Sequence, residues 1–255
     1  MTTGFQATDR SLLRVSGTDS AKFLQDLISN NLPSQGLACA ALLTPQGKYL
    51  ADFLIHTERD AYVLDVPAEL ASALGQRLAM YKLRADVSIS ADPRPVWVLL
   101  DGHEGFEDPR HPALGRRVYG DPERVDVVPP DQAEALRILH VVPKAGAELI
   151  ANDSYILECG FERVNGVDFR KGCYVGQEVT ARMKHKTTLR KGIAGVRFGE
   201  DGVEQGAEII CAGKSCGTVT SVAGRLGIAY LRFDRAGPEM MADGVSVNLR
   251  EPGEA

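Results

Sequence analysis

The pattern that most restricts the fold is the run of short apolar segments after Lys191. Each has four to six residues, and turns that contain glycine separate them; they are residues 193–198, 208–211, 218–222, 227–232 and 245–249. Short strands at this spacing, joined by glycine-containing turns, are typical of small antiparallel barrels or sandwiches. The sequence therefore predicts a C-terminal domain made of β-strands.

The preceding part of the chain alternates between strand and helix patterns. Strands are predicted at residues 11–15, 38–43, 49–56, 61–66, 86–90 and 96–100. Helical spacing of Phe23, Leu24, Leu27 and Ile28 predicts one helix, and a second is predicted to open at Pro67. Short connections between such elements favour an α+β sheet layered on helices.

The middle of the chain is less regular. The proline-rich residues 92–95 suggest a domain boundary, and residues 101–130, rich in Gly, Pro and charge, are expected to form exposed loops. A helix is predicted at residues 131–139, and residues 151–160 are expected to form a helix or a turn.

The composition excludes some classes of partner. Apolar residues make up 44% of the chain, and the net charge of −5 gives no general attraction to nucleic acid or to anionic membranes. No apolar run approaches the roughly 18 residues that span a bilayer. The first ten residues also lack the pattern of a secretory signal. These features predict a cytoplasmic protein with no membrane partner.

One short segment, Lys171-Gly172-Cys173-Tyr174-Val175-Gly176-Gln177-Glu178, combines groups that suit a binding site. Its glycines allow a tight turn and a close approach to a ligand. The positive charges of Arg170 and Lys171 would favour the thiolate of Cys173, and with it reactivity or metal binding. Gln177 and Glu178 offer the donors and acceptors that a flat heterocycle needs. The alternative is a glycine-rich loop around a packed cysteine.

The residues from Arg170 to Lys191 are strongly basic. Seven are Lys or Arg and one is acidic, so the segment carries a charge of +6. It is either a solvated basic loop or a rim that binds carboxylates or phosphates. Single-stranded RNA is a poorer candidate, because Tyr174 is the only aromatic residue available for stacking.

The five cysteines are scattered, with no Cys-x-x-Cys pair, which argues against a secreted disulfide scaffold. Cys211 and Cys216 have a weak metal-ligand spacing with no histidine nearby. They are more simply explained as reduced thiols, so no metal-ligating residues are assigned.

The segment 171–178, with Ala181-Arg182-Met183 after it, resembles the signature of the YgfZ family. That family is related to the tetrahydrofolate-binding T protein of glycine cleavage. Further similar stretches are Asp9-Arg10, Leu43 to Lys48 and Gly217 to Ser221. Residues 151–160 are similar to the T-protein segment that ends in a pterin-binding glutamate, here Glu158.

The resemblance implies a fold of class α+β: two interleaved α+β domains around a folate site plus a small C-terminal antiparallel β-barrel. The corresponding domains would be residues 1–92, 93–187 and 188–255. Tetrahydrofolate, in monoglutamate or polyglutamylated form, is the expected cofactor, with Cys173 as the reactive residue. The expected cofactor-binding residues are Glu158, Lys171, Tyr174, Gln177, Glu178 and Arg182.

The same resemblance implies a role in the assembly or repair of [4Fe–4S] proteins, with indirect effects on tRNA modification. The expected partners are iron–sulfur client proteins or assembly factors. Two departures bear on enzymatic activity: Ala51-Asp52 stands where the T protein has two aspartates, and the chain is shorter than a typical T protein. A folate-dependent aminomethyltransferase or demethylase and an RNA-binding factor remain open alternatives, although no direct contact with nucleic acid is expected.

Overall fold

The computed structural model describes residues 2–186 and 188–254, and these residues form two compact units. The first unit contains Met1–Pro130, Ala151–Asp153 and Phe161–Val179. The second contains Asp131–Ile150, Ser154–Gly160 and Thr180–Ala255. The chain therefore passes between the units more than once. The sequence-based division at residues 92/93 and 187/188 stays a prediction.

The described residues form the following helices and strands. The helices are α1 (Ser20–Gln25), α2 (Ala68–Lys82), α3 (Asp131–Leu139) and α4 (Gln177–Lys186), with a short 3-10 helix at Pro112–Leu114. The strands are β1 (Thr2–Gln6), β2 (Arg10–Ser16), β3 (Leu37–Leu43), β4 (Tyr49–Glu58), β5 (Ala61–Pro67), β6 (Ser88–Asp92), β7 (Val96–Leu99), β8 (Phe106–Glu107), β9 (Arg116–Tyr119), β10 (Val125–Val127), β11 (Lys191–Phe198), β12 (Glu208–Cys211), β13 (Lys214–Ala223), β14 (Leu226–Arg232), β15 (Met240–Ala242) and β16 (Val245–Arg250).

The first unit contains an antiparallel sheet of order β3-β4-β5-β2-β6. Its apolar face forms a core with α1 and α2, to which α2 contributes Leu74 and Leu78 one turn apart. The helix in this region ends at Gln25, so Leu27 and Ile28 enter the core from the turns that follow it. The predicted strands of this sheet are confirmed, with ends that shift by one or two residues.

A second sheet in the first unit has the order β10-β1-β7-β9-β8. Strands β8, β9 and β10 lie within residues 101–130, so the prediction of exposed loops is wrong for these parts of the range, while residues 101–104 are exposed and lie outside strands. Asp108 is buried and accepts hydrogen bonds from the Nε and Nη2 of Arg110, while Arg117 Nη2 lies 3.3 Å away. Although burial acts to raise it, the pKa of Asp108 is held well below its usual range by these two guanidinium groups. The charges that suggested exposure are therefore paired inside the unit.

The second unit contains a closed barrel of order β11-β14-β13-β12-β15-β16, which confirms the predicted C-terminal barrel. Closure gives every strand two hydrogen-bonded neighbours and so removes exposed sheet edges. The three-residue strand β15 was not predicted from the sequence.

A buried carboxylate ties α3 to this barrel. Glu148 accepts hydrogen bonds from Arg137 of α3 at 3.0 Å, and from Thr220 and Ser221 of β13 at 2.7 and 2.6 Å. Each carboxylate oxygen therefore has at least one donor, as a buried charge requires.

Candidate functional site

Two glycines bring the motif segment against the β3–β4 hairpin of the first unit. Gly176 has φ +83°, and a Cβ there would lie 2.7 Å from the carbonyl oxygen of Thr44. Gly47, in the hairpin turn, has φ +75°, and its Cβ would lie 2.8 Å from the Cβ of Val179. Both glycines are therefore required, because they permit a left-handed backbone and close contact at once.

Lys171 fastens the start of this segment to the turns after α1. Its Nζ donates to the carbonyl oxygens of Gln25, Ile28 and Asn30, at 2.8, 2.5 and 3.0 Å. The side chain is buried, and this burial lowers the pKa of Lys171 to about 8. An ammonium group has three protons, and all three are used here. Lys171 thus positions the loop, and its expected contact with a cofactor stays a prediction.

Cys173 lies between two side chains that fix the loop. Tyr174 is buried, and its ring centre is 5.1 Å from Lys171 Nζ, a distance at which a cation–π contact is favourable. Cys173 itself is exposed, as is Gly172 before it. A Cβ at Gly172 would meet nothing within 4 Å, so the backbone does not require a glycine there. Lys171 and Tyr174 therefore hold the loop in place, and Cys173 on this loop is exposed to solvent.

The other cysteines have different surroundings. Cys39, Cys159 and Cys216 are buried, and Cys211 is partly buried. Burial raises the pKa of Cys39 to about 12, and burial also raises the pKa of Cys216. Within the described residues, no group of three or more His, Cys, Asp or Glu side chains is arranged to hold a metal ion.

The remaining predicted residues of the motif lie on α4, which the sequence did not predict as a helix. Gln177 is its first residue and donates its backbone N–H to the Tyr174 carbonyl oxygen at 3.2 Å. Glu178 is exposed in the first turn, where its charge suits the helix dipole. Arg182 is exposed one turn later and belongs to the second unit. The binding roles of these three side chains stay predictions.

Glu158 belongs to the second unit, where its carboxylate is oriented by the barrel. Tyr230 donates its hydroxyl to Oε2 at 2.6 Å, and Lys191 Nζ lies 3.7 Å from the same oxygen. Lys191 Nζ also lies 5.5 Å from the centre of the Tyr230 ring. The two protein partners therefore converge on Oε2, and among the described residues Oε1 has no hydrogen-bond donor.

The backbone of Glu158 is anchored as well. Its carbonyl oxygen accepts a hydrogen bond from the Ile193 N–H at 2.8 Å. A Cβ at Gly192 would lie 2.6 Å from that carbonyl oxygen, so a glycine is needed for the approach. Strand β11 thereby fixes the main chain at Glu158, while Tyr230 of β14 fixes its side chain.

A pocket of about 390 Å³ opens beside this carboxylate. Its lining combines one acid with three cationic side chains and a few apolar or small ones: Glu158, Met183, Thr188, Leu189, Arg190, Lys191 and Arg232. The volume falls within the range of small-molecule sites. Such a lining suits a ligand that has a hydrogen-bond donor edge for the carboxylate and an anionic group for the cations.

Sequence reasoning did not identify Tyr230 and Arg232 of the barrel as residues of this site. Lys191 of β11 and Arg232 of β14 are directly paired on neighbouring strands of the barrel, and Tyr230 is two residues away on the same face. The alternation of polar and apolar residues along β14 was the available signal, because it separates Tyr230 and Arg232 from the buried Leu231 between them. The partner strand and the register were not visible in the sequence.

The Ala51-Asp52 pair, which bears on enzymatic activity, does not present an exposed carboxylate. Asp52 is buried, and its Oδ1 accepts a hydrogen bond from the Tyr49 hydroxyl at 2.7 Å. Ala51 before it is buried as well.

The fold is shared with an enzyme of glycine cleavage. A crystal structure of the glycine cleavage system aminomethyltransferase T from Bartonella henselae superposes with a TM-score of 0.82. The superposition covers 99% of this chain and 86% of that one, at 16% sequence identity. This likeness defines the fold class, with its α+β sheets and C-terminal barrel, as the sequence predicted. It does not extend to activity at so low an identity.

Sequence comparison gives the family. Residues 190–255 match the family described as CAF17, C-terminal beta-barrel domain. Iron-sulfur cluster assembly factor IBA57, mitochondrial, from Homo sapiens is 30% identical over 89% of this chain and 76% of that protein. The mouse protein of that name is 30% identical, with 91% and 78% covered, and the Neurospora crassa homologue is 32% identical, with 73% and 51% covered. The chain therefore belongs to the IBA57 family of iron–sulfur cluster assembly factors, which confirms the resemblance found in the sequence.

These names correct one expectation. The sequence predicted a cytoplasmic location, whereas the curated relatives are named as mitochondrial proteins. The prediction is therefore contradicted. Its physical basis was weak, because net charge and hydropathy distinguish membrane from aqueous environments but do not distinguish one aqueous compartment from another. In the part of the chain that the structure describes, no helix is long and apolar enough to cross a membrane.

Proposed function

We propose that this protein supports the assembly or repair of [4Fe–4S] proteins and that it binds tetrahydrofolate in the pocket beside Glu158. The family relationship supports the first part, since the relatives are named as iron–sulfur cluster assembly factors. The oriented carboxylate of Glu158 carries the second part. Effects on tRNA modification would be indirect, through the iron–sulfur enzymes that modify tRNA.

The chemistry of folate fits the pocket at both ends. The pterin ring has adjacent N–H donors, and a carboxylate can accept two of them in parallel. Oε1 of Glu158 has no donor among the described residues, and Oε2 can accept a second bond beside that from Tyr230. The glutamyl tail is anionic, and Arg190 supplies positive charge at the pocket together with Arg232, whose guanidinium also pairs with Asp234 at 3.1 Å. A polyglutamylated tail would add carboxylates near the exposed basic residues of α4.

Cys173 is the residue to which this proposal assigns a chemical role, in addition to folate binding at the pocket. Its thiol is exposed on a loop held by Lys171, so a partner can reach it without unfolding the unit. A client protein or another assembly factor is the expected partner at this loop. In this proposal the iron–sulfur cluster is cargo, and Cys173 is the residue that meets the cargo or the partner thiol.

Calorimetric titration of tetrahydrofolate into the wild type and a Glu158→Gln variant tests the folate assignment. Loss of a hydrogen bond to a charged acceptor should cost roughly 1.5–3 kcal/mol, about 10- to 150-fold in affinity. Glu200→Gln, at an exposed position of the second unit, is the matched control and should bind like the wild type. Equal affinity of the folded Glu158→Gln variant and the wild type would exclude this pocket as the folate site.

The assembly role needs a separate measurement. In cells that lack the native protein, expression of the wild type should restore the activity of [4Fe–4S] enzymes. Failure to restore activity would refute the assembly role, whatever the outcome of the folate titration.

A further inference from the structure

We infer that Tyr230 is a positioning residue for ligand binding, acting through Glu158. This inference rests on the proposed folate site and adds the residue that gives Glu158 its geometry. Tyr230 stands on a barrel strand, outside every motif that the sequence indicated, and it would contact the carboxylate rather than the ligand.

The contact is directional. The Tyr230 hydroxyl donates to Glu158 Oε2 at 2.6 Å, a normal distance for a hydroxyl bonded to a charged acceptor. The carboxylate is buried at the edge of the pocket, with only 9% of the residue exposed. A hydrogen bond in such a setting fixes the rotation of the carboxylate plane.

Lys191 completes the arrangement. Its Nζ lies 3.7 Å from Oε2 and 5.5 Å from the centre of the Tyr230 ring. Both partners therefore approach one oxygen, and the carboxylate is turned so that Oε1 remains for the ligand. Lys191 alone could not enforce this, because an ammonium group on a long flexible side chain has no preferred plane. The rigid phenol ring of Tyr230, held on β14, supplies the direction.

A carboxylate fixed in this way discriminates among ligands. Two parallel hydrogen bonds form only when the carboxylate plane matches the plane of the donor edge. The inference therefore predicts that Tyr230 contributes to recognition of the pterin ring and leaves recognition of the anionic tail unaffected.

The experiment compares Tyr230→Phe with the wild type, using tetrahydrofolate and tetrahydropterin, which is the ring without the tail. The substitution removes only the hydroxyl, and thermal denaturation should confirm an intact fold. We expect a loss of about tenfold in affinity, the same for both ligands. Tyr62→Phe, on the half-buried Tyr62 of the first unit, is the matched control and should bind like the wild type.

A double variant separates positioning from general damage. If Tyr230 acts through Glu158, then Tyr230→Phe should cost little in a Glu158→Gln background, so the two effects will not add. Equal binding by the wild type and Tyr230→Phe would overturn the inference and leave the folate site standing. A loss confined to tetrahydrofolate, or full additivity in the double variant, would also overturn it. If the wild type binds neither ligand, the proposed folate site fails and the inference fails with it.

Discussion

Replacement of Lys171 by Met removes the ammonium group that ties residues 171–178 to the turns after α1, and it nearly preserves the length of the side chain. The Ile28 carbonyl is the most buried of its three acceptors and would be left without a donor. An unsatisfied buried acceptor costs about 1–3 kcal/mol. The other two carbonyls are only partly buried, so water can replace the ammonium there. The lost hydrogen bond alone would lower the free energy of unfolding of Lys171→Met by about 1–3 kcal/mol, and removal of the buried charge offsets part of this loss at pH 7.

The pH dependence of this difference gives the sharper test. The pKa of Lys171 falls from 10.5 to about 8 on folding, because burial disfavours the charged form. Between these values the unfolded chain binds more protons than the folded one, so stability rises with pH. At about 1.36 kcal/mol per pKa unit the full effect is about 3 kcal/mol, and about 2 kcal/mol after allowance for partial access of water. The stability advantage of the wild type over Lys171→Met should therefore grow between pH 8 and 10.5.

Urea unfolding under reducing conditions can follow this difference at pH 7, 8, 9 and 10. Trp97, the only tryptophan, lies in the same unit as the loop and reports its unfolding. Lys214→Met, at an exposed position of the second unit, is the control and should differ little from the wild type at any pH. A wild-type advantage over Lys171→Met that stays constant or shrinks as the pH rises would refute the reasoning.

Two other positions in the first unit give further predictions. Cys173 should be alkylated first at neutral pH, since it is exposed while burial raises the pKa of Cys39 to about 12, and peptide mapping in which Cys173 is the slower thiol would contradict this. Cys173→Ser should still fold and bind tetrahydrofolate but fail to restore [4Fe–4S] enzyme activity in cells lacking the native protein, and full rescue would count against a chemical role. Gly176→Ala should lower stability by at least about 2 kcal/mol, because the new methyl group meets the Thr44 carbonyl and the backbone is left-handed. Gly172→Ala, where the methyl group meets nothing, is its control, and equal melting temperatures for the two variants would disprove the packing argument.

Local patterns were sufficient for much of the fold. The predicted segment at Glu208–Cys211 is a barrel strand with those bounds, and the predicted helix at Asp131–Leu139 is α3. Such elements can be predicted because alternation and helical spacing depend only on residues that are close together in the sequence. The Gly176 and Gly47 motifs were also visible, although their contact with each other was not.

Charged residues usually indicate exposure, and this led to a wrong prediction where the charges are paired with one another in the tertiary structure. Asp108, Arg110 and Arg117 made the 101–130 region look exposed, yet they form buried ion pairs beside a sheet. A sequence shows that these charges exist but not that they neutralise one another.

For the candidate site as well, the sequence indicated some features, and only the tertiary structure determined the others. The sequence alone indicated Cys173, because a cysteine among basic residues and glycines is unusual in a single short segment. It also indicated Glu158 through resemblance, but it could not show what orients that carboxylate. Tyr230 lies 72 residues further along the chain, on a strand whose partner and register are set only when the barrel closes. Closure is a long-range event that depends on every strand at once, so the geometry of Glu158 was decided by the tertiary structure.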